Sequence, residues 1–261
     1  VTRCVLVTGA SGAIGGALAL EYAGPGVTLV LQGRKADALH ALAAACRARG
    51  AVVCTHALDL RDRAALAAWL DALAAQHAFD LLIVCAGVNT HVGPGGEPEP
   101  WDEVEAVLQV NLEAAVRTVH RLLPGMRQRG GGQIALIGSL AGCFGLPLTP
   151  AYSASKAGLK AYGEALRGAL APQGIRVSVV LPGYVQSPMC EAMPGPKPWV
   201  WAPARAARAI QRGLARDAAR ISFPFPLNWG MWWLAVLPAA LSVRIVRWLG
   251  YGVGHRAGDG A

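Results

Sequence analysis

Six short, unbroken apolar runs, at residues 4–8, 27–32, 52–57, 81–85, 133–138 and 176–181, alternate with longer Ala- and Leu-rich stretches of helical period. A sheet with one wet face reads as alternating apolar and polar residues, whereas runs that are apolar at successive positions belong to strands buried on both faces. The pattern predicts a parallel sheet with helices on both sides, a doubly wound α/β arrangement. Helices are expected over 13–22, 36–49, 61–76, 104–127 and 152–171, several with Asp or Ser near the start.

Composition narrows the class. A chain of 261 residues that is 54% hydrophobic and 15% charged has the apolar surface for a substantial core and excludes a disordered or linker-dominated protein. The expectation is a single domain over 1–261. Its six cysteines are scattered, with no C-x-x-C pair and no histidines at ligand spacing, so reduced thiols and no metal are expected. No charged n-region or cleavage site stands ahead of the first apolar run, which gives the expectation of a cytoplasmic protein. Eight arginines against Asp217 alone lie between Arg205 and Arg256, so most of the net charge of +8 is in the last quarter. No nucleic-acid-binding signature accompanies it, and no nucleic-acid partner is expected.

Three groups of residues carry chemistry. Thr8-Gly9-Ala10-Ser11-Gly12-Ala13-Ile14-Gly15 runs from the first strand into the first helix, where backbone N–H groups and the positive helix end suit a pyrophosphate. The second strand ends Leu31-Gln32-Gly33-Arg34-Lys35, without the acidic residue that would bind a ribose 2′-hydroxyl. Arg34 would pair with a 2′-phosphate instead, favouring NADP(H) over NAD(H). Asp59, after the third strand, suits either the adenine edge or the cap of a helix from Arg61. Tyr152 and Lys156 lie four apart on one helix face, where an ammonium would favour the phenolate and ready the phenol for acid/base work. Ser139, at the end of the fifth run, supplies a hydroxyl at the carboxyl edge of the sheet, where such sheets bind ligands.

In these motifs the chain resembles the short-chain dehydrogenases/reductases, in their compact single-domain branch, from Val1 to about residue 190. The resemblance implies a Rossmann-like fold and maps Gly9, Gly12 and Gly15 to the cofactor turn, and Cys85-Ala86-Gly87 to the segment usually written N-A-G. It maps Asn111, Ser139, Tyr152 and Lys156 to the catalytic tetrad, with the thirteen-residue step from Ser139 to Tyr152 at the family's spacing. Pro182-Gly183-Tyr184-Val185-Gln186-Ser187-Pro188 corresponds to the nicotinamide-side P-G motif. By that implication Ser11, Ile14, Arg34, Asp59, Leu60, Ala86, Gly87, Pro182, Gly183, Val185 and Ser187 join the three glycines, Tyr152 and Lys156 around the cofactor. Tyr152 would move the proton, Ser139 hold the carbonyl oxygen, Lys156 lower the phenol's pKa and bind ribose, and Asn111 hold a water that leads to Lys156. The implied activity is hydride transfer between NADP(H) and a carbonyl or alcohol, in a homo-oligomer. Two positions depart from the family: Ala13 replaces the second glycine, giving the spacing of nucleotide-sugar epimerases and dehydratases, and Cys85 replaces the N-A-G asparagine. Alternatives are therefore an epimerase or dehydratase, and a protein that binds NADP(H) without turnover.

Beyond the P-G motif the pattern changes. Residues 186–203 hold five prolines and two tryptophans and read as a substrate lid. Cys143, Phe144, Leu146 and Pro147, with Met189, Met193, Trp199 and Trp201 from the lid, would line an apolar pocket for a lipophilic substrate. Residues 221–250 read as a hydrophobic C-terminal helical extension whose first 23 residues are uncharged. Pro224, Pro226 and Pro238 cut it into pieces too short to span a bilayer, leaving a lid helix, a dimer contact or a peripheral anchor at the inner face of the membrane. Arg205, Arg208, Arg212 and Arg216, spaced to share a helix face, would assist such an anchor.

Overall fold

In the structure, a computed structural model in which residues 3–252 are described, seven strands form one parallel sheet. They are β1 (Arg3–Thr8), β2 (Val27–Gly33), β3 (Val52–Ala57), β4 (Leu81–Val84), β5 (Gly132–Ile137), β6 (Ile175–Pro182) and β7 (Arg220–Phe223), in the order β3-β2-β1-β4-β5-β6-β7. The helices, among the described residues, are α1 (Ala13–Tyr22), α2 (Ala36–Arg47), α3 (Arg63–Gln76), α4 (Trp101–Leu108), α5 (Ala114–Gln128), α6 (Pro150–Leu170), α7 (Pro188–Ala192), α8 (Pro203–Ala215), α9 (Leu227–Val236) and α10 (Ala239–Val246). The fold is Rossmann-like and doubly wound, and the strand order reverses between β1 and β4, where open α/β sheets bind their ligands.

Consecutive strand residues feed opposite layers, which is why the runs are apolar throughout. Leu29 and Leu31 of β2 join Val5 and Val7 against α1, α2 and α8, while Val30 joins Leu6 and Leu82 against α3, α5 and α6. All of these side chains are fully buried, each burial worth about 1.5–3 kcal/mol. A third cluster lies near the end of β6, where Val179 and Leu181 meet Met231, Leu234 and Val246 of α9 and α10.

The strand β7 corrects the expected extent of the C-terminal extension. Ile221 pairs with Val180 and Phe223 with Pro182, so residues 221–223 belong to the sheet. Ile221 and Phe223 are buried and Arg220 and Ser222 exposed, a period of two that the uncharged run behind it conceals. The expected helix 61–76 starts instead at Arg63: Asp62 is its cap, accepting the Ala64 and Ala65 N–H groups at 3.1 and 2.9 Å, and Asp59 is not. The expected helix 104–127 is interrupted by a π-turn over Gln109–Glu113 that contains Asn111.

The arginine row is also corrected. Ala206, Ala207, Ile210 and Leu214 bury α8 against α1 on the Val180 side of the sheet, whereas α9 and α10 pack on the Val179 and Leu181 side. Arg205, Arg208, Arg212 and Arg216 are exposed but share no face with the tryptophans of the extension. The amphipathic burial of α8 dictates this, because its apolar stripe has to cover the first layer.

The helix α6 approaches the sheet closely at Gly163, where an added Cβ would lie 2.6 Å from Val179 Cγ2 and 2.8 Å from Leu136 Cδ1. Both neighbours are buried in packed clusters. Gly163→Ala should therefore lower the unfolding free energy by about 1–3 kcal/mol through overpacking, measured by urea denaturation. An unchanged midpoint would show that the helix has room to move outward.

Candidate active site

The main-chain turn after β1 is shaped by close backbone approach. Gly9 has φ +66°, and a Cβ there would stand 2.7 Å from Ala86 Cα; one on Gly15 would stand 2.3 Å from the Gly9 carbonyl oxygen. Only glycine fits either place. The turn is anchored by Gln32, which sequence reasoning missed: its Oε1 accepts the Gly9 N–H at 3.0 Å and its Nε2 donates to the Leu58 carbonyl at 2.7 Å. The signal was a polar residue inside an otherwise apolar strand. Thr8, also missed in this role, accepts the Cys85 and Ala86 N–H groups on its Oγ1, holding β1 to the end of β4.

Beside this turn lies a cleft of about 320 Å³. Gly9, Ser11, Gly12, Ile14, Gly15, Arg34, Asp59, Leu60, Ala86, Gly87, Tyr152, Lys156 and Ser187 all line it. Gly12, which caps α1, makes no side-chain capping bond, and no acidic residue stands in the first turn of that helix. The glycine cradle and the uncapped helix start suit an anionic phosphate group, so the residues fit a dinucleotide cofactor. Arg34 stands exposed at the cleft, whereas Asp59 is gripped by Arg61, whose Nη2 lies 2.6 Å from Oδ2. That hydrogen bond holds the Asp59 carboxyl below its ordinary pKa, against a smaller opposing effect of burial.

Pro182, Gly183, Val185 and Ser139 lie outside this cleft, on a second cavity of about 690 Å³. The two cavities share Ile14, Gly138, Tyr152, Ser187 and Met189 as a common wall. Ser139 accepts the Ala141 N–H at 3.1 Å, starting a short 3-10 turn over Leu140–Gly142. A Cβ on Gly142 would lie 2.7 Å from the backbone of Lys156, so this turn and α6 touch main chain to main chain.

Asn111 lines neither cavity and is fully buried behind Gly87. Its Nδ2 donates to the Val88 carbonyl at 2.9 Å and to Ser155 Oγ at 3.0 Å, and its Oδ1 accepts the Val88 N–H at 2.8 Å. Both side-chain donors are used within the protein, so the side chain braces the backbone beyond Gly87. The Ser155 hydroxyl continues the chain to the Tyr152 carbonyl at 2.8 Å.

The electrostatics differ from the expectation for Tyr152. Burial raises the phenol's pKa, a hydrogen bond with Ser139 lowers it, and Lys156 exerts no resolved pull. The lysine is itself buried: its Nζ donates to the Ile137 carbonyl at 3.0 Å and lies 5.7 Å from the Tyr152 ring centroid. Burial pushes its pKa down to about 8. Desolvation thus outweighs the expected ammonium–phenol coupling. The Cys85 thiol, also buried, is pushed up to about 12 and stays neutral, so the residue in place of the N-A-G asparagine adds no charge.

The lid expected at 186–203 comprises α7 and the loop after it. Met189, Met193 and Trp199 line the larger cavity, as does Leu146. Trp201 does not: its ring stacks on Phe223 at 4.7 Å with the Arg205 guanidinium 4.0 Å from its centroid, and its backbone exchanges hydrogen bonds with Tyr184 and Gln186. Flat aromatic stacking against the end of β7 makes it a fixed point of this segment. Cys143, Phe144 and Pro147 border a separate depression, so they too leave the expected pocket. In their place, Trp229, Trp233, Leu234 and Leu249 of the extension form the outer wall. Tyr184 donates to Tyr251 Oη at 3.1 Å and Tyr251 to the Pro196 carbonyl at 2.8 Å, tying the P-G segment, the extension and the loop after α7 together. Among the described residues no cluster of His, Cys, Asp or Glu is arranged to hold a metal ion.

Comparison with known proteins agrees with this geometry. Residues 3–196 match the family model described as short chain dehydrogenase. An uncharacterized oxidoreductase of Myxococcus xanthus is 35% identical over 86% of this chain and 88% of its own length. One from Mycobacterium tuberculosis is 33% identical over 92% of this chain and 96% of its own. A solved short-chain dehydrogenase from Sphingobium yanoikuyae, in complex with NADPH, superposes with a TM-score of 0.79 at 28% identity, covering 99% of this chain and 98% of that one. A seven-stranded parallel sheet, a glycine turn at its switch point and a tyrosine and lysine on one helix thus accompany sequence similarity along most of the chain, which belongs to the short-chain dehydrogenase family of oxidoreductases.

Proposed function

We propose that the protein transfers hydride between NADP(H) and the carbonyl or alcohol group of a neutral, lipophilic small molecule. The observation that carries this reading is the meeting of a phosphate-fitting cleft and an apolar cavity at Tyr152. The larger cavity is lined by no Asp, Glu, Lys, Arg or His among the described residues. A carboxylate or diphosphate entering it would lose its hydration without gaining a counter-charge, which costs several kcal/mol. That argues for an uncharged substrate and against a nucleotide sugar, despite the glycine spacing.

A nicotinamide cofactor, when bound, supplies or accepts the hydride. The Gly9–Gly15 turn and the start of α1 would hold its diphosphate, and Arg34 with Lys35 its 2′-phosphate. The NADPH in the Sphingobium relative supports that preference. In reduction Ser139 Oγ orients the substrate oxygen and the Tyr152 hydroxyl gives it a proton; in oxidation the phenolate takes the proton back. Burial keeps the phenol protonated, as a proton donor requires. Lys156, with a pKa near 8, holds or releases a proton at Nζ close to neutrality, 5.7 Å from the Tyr152 ring centroid.

NADPH oxidation with paired substrates tests the reading. Long-chain or polycyclic ketones should be turned over with at least about 100-fold higher kcat/KM than analogues carrying a carboxylate at the buried end, and equal rates for both would overturn the neutral-pocket assignment. Tyr152→Phe should lower kcat at least about 100-fold while NADPH affinity stays within about threefold of wild type; a variant retaining a tenth of the rate would remove the tyrosine from proton transfer.

Arg34→Ala should weaken NADPH binding at least about tenfold and leave NADH within about twofold, because only NADPH offers a phosphate to the guanidinium. Titration with both cofactors reads this directly, and equal losses would make Arg34 a structural residue.

The cofactor-free protein carries a further signature. With Lys156 held near pKa 8 in the fold against 10.5 as an isolated side chain, the unfolded chain binds the extra proton between those values, so stability rises with pH across that window and the burial cost is complete below it. Lys156→Met removes this dependence. Its stability relative to wild type should therefore fall by about 2–3 kcal/mol between roughly pH 7 and pH 10, measured by urea denaturation at each pH, and a constant difference would refute the shift.

A further inference from the structure

Residues 224–251 hold nine of the fifteen large apolar side chains exposed among the described residues. Trp248 is 82% exposed, Phe225 75% and Trp232 47%. Trp229, Trp232 and Trp233 meet edge to face, making one aromatic patch. Contiguous apolar surface of this kind marks an interaction site.

Two features select its occupant. The charged residues of 224–251 are Arg244 and Arg247, both exposed and without an acidic partner among the described residues. In addition, Trp199, Trp229, Trp233 and Leu249 are exposed and also line the apolar cavity, so whatever covers the patch covers the mouth of the pocket. A second copy seated on the patch about a twofold axis would seal both pockets and bring arginines together with no acid from the patch to receive them. An anionic bilayer supplies the opposite charge, accepts tryptophan at its headgroup level and dissolves neutral apolar molecules. The helices α9 and α10 are ten and eight residues long, and no described helix is long and apolar enough to cross a membrane.

We propose that residues 224–251 dock the protein on anionic lipid membranes and that the substrate is a membrane-dissolved, uncharged carbonyl or alcohol compound, entering the cavity between Trp199, Trp229, Trp233 and Leu249. The delivery half rests on the reading of this cavity as the substrate pocket; the docking half does not. Phe225, Trp232 and Trp248 are exposed outside the cavity lining, which separates attachment from catalysis.

The test uses the full chain, with flotation on phosphatidylcholine vesicles with and without phosphatidylglycerol. The protein should float with the anionic vesicles, and salt should reduce the bound fraction without abolishing it, because apolar contact survives screening. Lipids brominated in the acyl chains should quench its tryptophan fluorescence. The combined Phe225→Ser, Trp232→Ser and Trp248→Ser variant should bind vesicles at least about tenfold more weakly, with unchanged NADPH affinity and unchanged turnover of a water-soluble ketone. Arg244→Glu with Arg247→Glu should weaken binding about tenfold or more at low salt. For a long-chain ketone held in the vesicles, kcat/KM should fall at least tenfold in the serine variant.

Failure of the wild type to float with anionic vesicles at low salt, or undiminished flotation of the serine variant, overturns the docking. Light scattering that finds a dimer dissolved by the serine substitutions, with no vesicle binding, assigns the patch to self-association. Equal turnover of the vesicle-held ketone by variant and wild type overturns the delivery. Vesicle binding with no turnover of any carbonyl overturns the redox reading and leaves docking in place, whereas turnover without flotation does the reverse.

Discussion

The active site depends on main-chain contact between helix α6 and its surroundings. Gly163 lets the middle of the helix lie against Leu136 and Val179, and Gly142 lets the turn that begins at Ser139 rest on the backbone of Lys156. Interiors packed at this density transmit displacement, because there is no space in which a shift is absorbed. The spacing between the main-chain positions of Ser139 and Tyr152 is therefore set by backbone packing. Asn111 and Ser155 add a polar chain from the segment after β4 to the Tyr152 carbonyl, so the tyrosine is positioned from both the sheet and the cofactor side.

Burial then sets the chemistry. A parallel sheet covered on both faces gives a site at its edge with little water behind it. Both Tyr152 and Lys156 are moved toward their neutral forms there, the phenol upward and the ammonium downward. In the proposed reaction the protonated tyrosine is the donor the substrate needs, beside a lysine that titrates near neutrality. The larger cavity likewise has no charged lining residue among those described, so a charged group inside it would meet no counter-charge.

Much of this was legible in the residues. Unbroken apolar runs gave six of the strands because opposite layers claim alternate side chains, and the glycine turn, Ser139, Tyr152 and Lys156 are recognised by spacing that backbone geometry imposes. The seventh strand was not legible: Arg220-Ile221-Ser222-Phe223 is short, sits at an edge and runs into an uncharged segment of different structure. The π-turn at Asn111 leaves no clear mark in a sequence of helical period. Asp59 and Asp62 are equally good caps on paper, and only the chain's path after β3 decides for Asp62. Trp201 and Phe144 were assigned to the pocket from apolarity alone, which does not say toward which cavity a side chain turns. Nor did the lysine's spacing from Tyr152 reveal that its own desolvation would outweigh its pull on the phenol.

The path of the chain after β7 has a wider consequence. Pro224, where the segment leaves the sheet, packs beside Gly183, while Tyr251, near its far end, is hydrogen-bonded to Tyr184. The segment 224–251 thus departs from and returns to two adjacent residues, as a closed insert with both ends on the same support. Between those ends Met231, Leu234 and Val246 are fixed against Val179 and Leu181, whereas Phe225, Trp232 and Trp248 face outward. Substitutions at the outward positions can therefore alter the surface beside the cavity mouth without touching the strand order or the glycine turn.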